Sequence, residues 1–138
     1  MFKLVKILNS STTVPETIRI KTSANEPYTR GMLLKMNANG AAKNVVVGEM
    51  PTHVCCETLK AGESETVLCY EITEAMVFSA PTFGSMEGVS VGVKVTLEVD
   101  DDGYATCVTP FEDGGYVTIH NTCGATDSDQ QVLVRFVK

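Results

Sequence analysis

Two histidines and five cysteines are the residues of this chain best suited to chemistry. His53 stands in "THVCC" and His120 in "IHNTC", so His53, Cys55, His120 and Cys123 make a conceivable zinc set. Imidazole nitrogen and thiolate sulfur are the donors zinc prefers. Strand alternation would place His53 and Cys55 on one face, whereas His120 and Cys123 would need a bend at Asn121-Thr122. The spacings are His-x-Cys and His-x-x-Cys, not the paired Cys-x-x-Cys clusters of structural zinc sites. The expectation is therefore a surface imidazole, buried thiols and no bound metal. A Cys–His nucleophilic pair needs an activated thiol, and no flanking signature or Gly-rich oxyanion turn marks one.

Carboxylates gather at Asp100-Asp101-Asp102-Gly103 and at Glu112-Asp113-Gly114-Gly115, but neither group continues into the spaced ligands and distal Glu of a calcium loop. Both sit between strand-like segments and read as turns, as does Thr126 to Gln130. There is no phosphate-binding glycine loop or H-E-x-x-H. Trp is missing, which disfavours a sugar platform even with Tyr28, Tyr104 and Tyr116 present. No catalytic residue, cofactor or enzymatic activity is expected.

The whole chain narrows the partners. At 138 residues it fits one domain with a real core. A net charge of −6 and a pI near 4.8 argue against nucleic acid or an anionic membrane as the main partner. No apolar run approaches the roughly 20 residues that span a bilayer. "MFKLVKILNSSTTVPE" lacks the long apolar stretch and small-residue cleavage site of a signal peptide, so a cytoplasmic site of synthesis is expected. An odd cysteine count suits that reducing setting.

Almost every segment reads as a short strand. In "GVSVGVKVTLEVDDDGYATC" the residues Val89, Val91, Val93, Val95, Leu97 and Val99 share one parity, which predicts a half-buried strand and a hairpin into "YATCVTP". Gly92, on the opposite parity, marks a bulge or, less readily, a close approach of another backbone. "ETVLCYEI" is apolar on both parities and should be covered on both faces. "EAMVFSA" fits a strand or a single helical turn. "FKLVKIL", "TIRIKTS", "GMLLKMN", "KNVVVGEM", "THVCCETL", "GGYVTIHNT" and "DQQVLVRFVK" complete the set. The fold class is all-β, mainly an antiparallel sandwich or barrel with little helix.

Between residues 25 and 85 these strands follow a recognisable order. A Gly-led apolar strand, Gly31 to Met36, meets a turn at Asn39-Gly40. Strands ending at Gly48 and Leu59 follow, and Ala61-Gly62-Glu63 introduces Thr66 to Ile72 and then "AMVFSAP". This order resembles the head decoration, or capsid cement, proteins of tailed bacteriophages. The strands from Gly88 to Lys138 and the cysteines depart from the pattern. The resemblance implies a structural virion protein with no catalytic task. It would bind the outside of the assembled capsid as a homo-oligomer, a trimer above all, and clamp neighbouring major capsid subunits. It also implies an N-terminal segment that orders on the capsid.

Residues 1–25 are the candidate for that segment and 26–138 for the β domain, with Phe2, Leu4, Val5 and Ile7 as candidate partner contacts. The plainer reading makes "FKLVKIL" the first strand of the domain, paired with "QVLVRFVK", because its apolar residues need a partner in the free protein. A small metal- or ligand-binding β-barrel is the alternative function.

Overall fold

The computed structural model describes residues 1–11, 13–46, 48–110 and 116–137. They form eleven strands and no helix. These are β1 (Lys3–Ile7), β2 (Ile18–Lys21), β3 (Leu33–Met36), β4 (Ala42–Asn44), β5 (His53–Cys55) and β6 (Thr66–Glu71). They continue with β7 (Met76–Pro81), β8 (Lys94–Val99), β9 (Ala105–Thr109), β10 (Val117–Asn121) and β11 (Gln131–Phe136). The strands make two antiparallel sheets. One has six strands in the order β1-β7-β11-β10-β8-β9, and the other five in the order β2-β6-β5-β3-β4.

Alternation decides what each sheet buries. Phe78, Ala80, Val132, Val134, Val117, Ile119, Val95 and Leu97 face the inside of the six-stranded sheet. They pack with Leu33, Val54 and Tyr70 of the five-stranded sheet to form the main core. Phe78 is its aromatic centre, with ring centroids 5.4 Å from Phe136 and 6.5 Å from Tyr70. A parallel bridge between Thr82 and Val108, with the Phe83 N–H donating to the Val108 carbonyl at 2.9 Å, draws β7 toward β9 and curls the sheet into a half-barrel.

The five-stranded sheet is covered on both faces. Val67 and Cys69 of β6 join a second core with Tyr28, Met32, Leu34, Ala42 and Cys55, while Tyr70 joins the first. The apolar character of both parities in "ETVLCYEI" is thereby accounted for. The loop 23–30 closes the second core through Tyr28. Its hydroxyl donates to the Ala42 carbonyl at 2.7 Å and accepts the Ser23 N–H at 2.9 Å.

Three expectations need correction. "FKLVKIL" is a strand of the domain, but it pairs with β7 and not with the C-terminal β11, which lies one strand further in. The Val alternation holds only from Lys94 onward. Residues 88–93 are turn and irregular backbone, Val91 is 67% exposed, and burial resumes at Val95 and Leu97. Gly92 is no bulge within a strand: its φ is +87° and its N–H donates to the Ile119 carbonyl of β10 at 2.8 Å, so another backbone does come close. "EAMVFSA" resolves to strand β7. The segment Glu112 to Gly115 lies outside the described residues.

Candidate functional site

The four candidate metal ligands divide between the two sheets. His53 and Cys55 lie on β5 of the five-stranded sheet, while His120 lies on β10 of the other sheet and Cys123 just beyond it. His53 Nδ1 is 2.8 Å from the Thr52 hydroxyl, and its cross-strand neighbour is Glu71. Burial lowers its pKa against the opposing pull of that carboxylate. Cys55 is buried, and its thiol donates to the Glu57 carbonyl at 2.9 Å. The bend at Asn121-Thr122 exists, with the Asn121 side chain accepting the Cys123 N–H at 2.8 Å. It leaves Cys123 exposed at φ +52°. Among the described residues no group of three or more His, Cys, Asp or Glu is placed to hold a metal ion.

The outer face of the six-stranded sheet carries a feature that depends on register. Lys6 pairs with Val77, Arg135 with Thr118, and Thr118 with Lys94. Continuing the Val134–Phe78 pairing by one residue sets Arg135 beside Val77. Lys6, Val77, Arg135, Thr118 and Lys94 therefore form one row across β1, β7, β11, β10 and β8. Their neighbours Phe78, Val134, Val117 and Val95 point into the core, so the row points away from it.

Its three cations stand on alternate strands, about 10 Å apart at roughly 4.8 Å per strand. That separation slightly exceeds the Debye length of about 8 Å at physiological salt, so the cations repel one another only weakly there and their fields overlap more as salt is lowered. Val77, in the same row, is completely buried. The aliphatic stems of Lys6 and Arg135 flank it and are placed to cover it.

His120 adds to this face. It sits at a register shift between β10 and β11. Burial first, then the charges of Lys6 and Arg135, hold its pKa below the usual imidazole range. The Arg135 Nε–H donates to the Glu74 carbonyl at 2.8 Å and so fixes the guanidinium over the sheet. Lys3 faces the same way, opposite Ser79. Among the described residues the ion pairs are Arg19–Glu57, Lys35–Glu49 and Lys43–Glu49, all on the five-stranded sheet, and none engages this row. An acidic protein thus gathers positive charge on one strand face.

The candidate partner contacts on and just before β1 do not share one face. Phe2 is 2% exposed, with its ring 5.6 Å from that of Phe136, so it belongs to the protein's own core. Leu4 and Ile7 pack against the same core. Val5 alone stands outward, at the irregularity between Leu4 and Lys6. That irregularity puts Lys3 and Lys6 on one face despite their odd spacing.

An open groove of about 1040 Å³ lies at one end of the five-stranded sheet. Lys21, Ser23, Asn37, Asn39, Glu63 and Glu65 are among its lining residues. Asn37 ties it together: its Nδ2 donates to Ser23 Oγ, and its Oδ1 accepts the N–H groups of Asn39 and Ala41. The strand pattern alone gave no sign of the groove or the cationic row, because each needs residues from three or more separate segments. No protein-family model matches this chain, and no curated protein matches it.

Proposed function

We propose that this protein is a structural component of a tailed-phage virion. It binds the outer surface of the assembled capsid as a homo-oligomer, trimer favoured, and stabilises contacts between major capsid subunits. The strand order from Gly31 to Pro81 supports the reading through its resemblance to capsid cement proteins. The observation that carries it is the row Lys6–Arg135–Lys94, an organised cationic stripe on a sheet face with no ion pairs of its own among the described residues. Such a stripe suits an acidic protein surface presented as a repeating lattice. Many modest, salt-sensitive contacts then add through avidity.

Co-sedimentation with capsids of the phage that encodes the chain tests this directly. Saturable binding at a fixed ratio to the shell subunits is expected. Lys6→Glu together with Lys94→Glu should weaken it at least tenfold while the free protein stays folded. Absence of binding at low salt overturns the proposal. Ligand binding is the second reading, favoured only by the polar groove at Ser23 and Asn37.

A further inference from the structure

Cys55 on β5 and Cys69 on β6 are direct cross-strand partners. The hydrogen bonds show which kind of pair they form. The Cys55 N–H donates to the Met32 carbonyl at 2.9 Å, and its own carbonyl accepts the Gly31 N–H at 2.8 Å. Both backbone groups of Cys55 are thus spent on the β3 side of its strand. Toward β6 the ladder bonds come instead from flanking residues, with the Cys56 N–H donating to Leu68 and the Ile72 N–H to Thr52, each at 2.8 Å. Cys55 and Cys69 therefore make a non-hydrogen-bonded antiparallel pair.

In such a pair the Cα atoms lie about 4.5 Å apart and the side chains lean together. Disulfides need Cα separations of about 4.4–6.8 Å, so the backbone already meets the requirement. Both side chains share one face, within the core formed with Tyr28, Met32 and Val67. Cys56 points to the other face and packs on the main core, which removes it as a competitor. Cys107 and Cys123 belong to the other sheet.

We propose that Cys55 and Cys69 are a latent cross-strand disulfide, free while reduced and closed by exchange with a small-molecule disulfide such as oxidised glutathione. One thiolate of the pair attacks the small disulfide, forming a mixed disulfide and releasing one small thiol. The second protein thiolate then attacks the protein sulfur of that mixed disulfide and expels the other small thiol. The protein loses two electrons and two protons, and the small disulfide gains both.

Closure requires the Cys55 thiol to give up its hydrogen bond to the Glu57 carbonyl and turn toward Cys69. Burial pushes both thiols up to about 11, so the folded protein reacts slowly at neutral pH and faster as the medium turns alkaline. The crosslink would tie β5 to β6 at the middle of the five-stranded sheet, closing the loop through the Lys60–Glu63 turn. It is independent of capsid binding.

The test uses the full chain in two arms. In the first, reduced folded protein is incubated with oxidised glutathione at mildly alkaline pH. In the second, reduced unfolded protein is refolded in a glutathione redox buffer. The expected product is lighter by two hydrogens and yields a crosslinked Cys55–Cys69 peptide. It also has a higher urea midpoint, which reductant abolishes. Cys56→Ser should keep the crosslink, while Cys55→Ser and Cys69→Ser should each lose it. Free thiols at both positions after oxidative refolding, a crosslink through Cys56, or glutathione adducts that never close each overturn the proposal.

Discussion

Phe2→Ala distinguishes a strand of the domain from an arm that waits for a partner. The Phe2 ring is 2% exposed and contacts Phe136, which in turn stacks edge-on against Phe78. Truncating a buried Phe removes its transfer free energy and leaves a cavity, typically at a cost of 3–5 kcal/mol. The ring lies just ahead of edge strand β1, whose strand neighbour among the described residues is β7, so the site can relax and the loss should fall near the low end, about 3 kcal/mol. For a domain of this size that corresponds to a fall in Tm of roughly 10 °C.

The assay is urea unfolding of the free protein, read as a shift in midpoint with the slope m unchanged. Val5→Ala is the internal control. Val5 is 40% exposed beside the register shift, and its truncation should cost less than about 0.5 kcal/mol. A Phe2→Ala loss below about 1 kcal/mol would refute the reasoning, because the segment would then contribute nothing cooperative without a partner. A large loss from Val5→Ala would refute the assignment of faces.

Three further outcomes follow from the same geometry. Gly31→Ala should destabilise by about 2 kcal/mol in the same urea assay, because Gly31 has φ +88° and an added Cβ would lie 3.0 Å from the Phe2 carbonyl oxygen. Acid should destabilise the protein in two windows. His53 and His120 have folded pKa values below their ordinary 6.5, so the unfolded chain binds protons first and stability falls as pH drops below about 6.5. Burial alone would raise Glu49, but the Lys43 hydrogen bond, the Val46 N–H and the charges of Lys43 and Lys35 outweigh it. The carboxylate is held below 4.5, and its contribution is lost as pH falls through that lower value. His53→Asn should flatten the upper window in a pH series of urea midpoints, and an unchanged profile would count against the assignment. The capsid-binding proposal, finally, requires binding that weakens steeply with added salt and a Lys6→Glu, Lys94→Glu variant that flattens that dependence, both read by co-sedimentation.

The strands were legible where burial is one-sided or complete. Lys94 to Val99 alternates and does so in three dimensions, and the two-sided apolarity of Thr66 to Ile72 matches a strand with a core on each face. Residues 88–93 carried the same alternation and are turn and irregular backbone. Gly88 and Gly92 both adopt positive φ there, and a period of two in side-chain polarity does not hold a chain extended when glycines offer it another path. The pairing of "FKLVKIL" was misread because sequence shows that an apolar strand needs a neighbour but not which neighbour. In the fold β7 is an interior strand with β1 on one side and β11 on the other, so both edges of its backbone are paired and β1 takes the edge that β11 leaves open.

The cationic row shows why a site of this kind hides in a sequence. Lys6, Lys94 and Arg135 lie far apart along an acidic chain, and each by itself reads as an ordinary solvated residue. Four strand pairings must be known before they align, and a slip of one residue in any of them would turn a cation into the core. The irregularity at Val5 is therefore part of the site. Without it, Lys3 and Lys6 would fall on opposite faces, and one ammonium would have to be buried near Phe2 and Phe136 at a cost no core of this size could bear. Deleting Val5 takes out the extra residue itself and leaves Lys3, Leu4, Lys6 and Ile7 in plain alternation opposite Ser79, Phe78, Val77 and Met76, so the deletion should preserve the fold and the row, as Val5→Ala should.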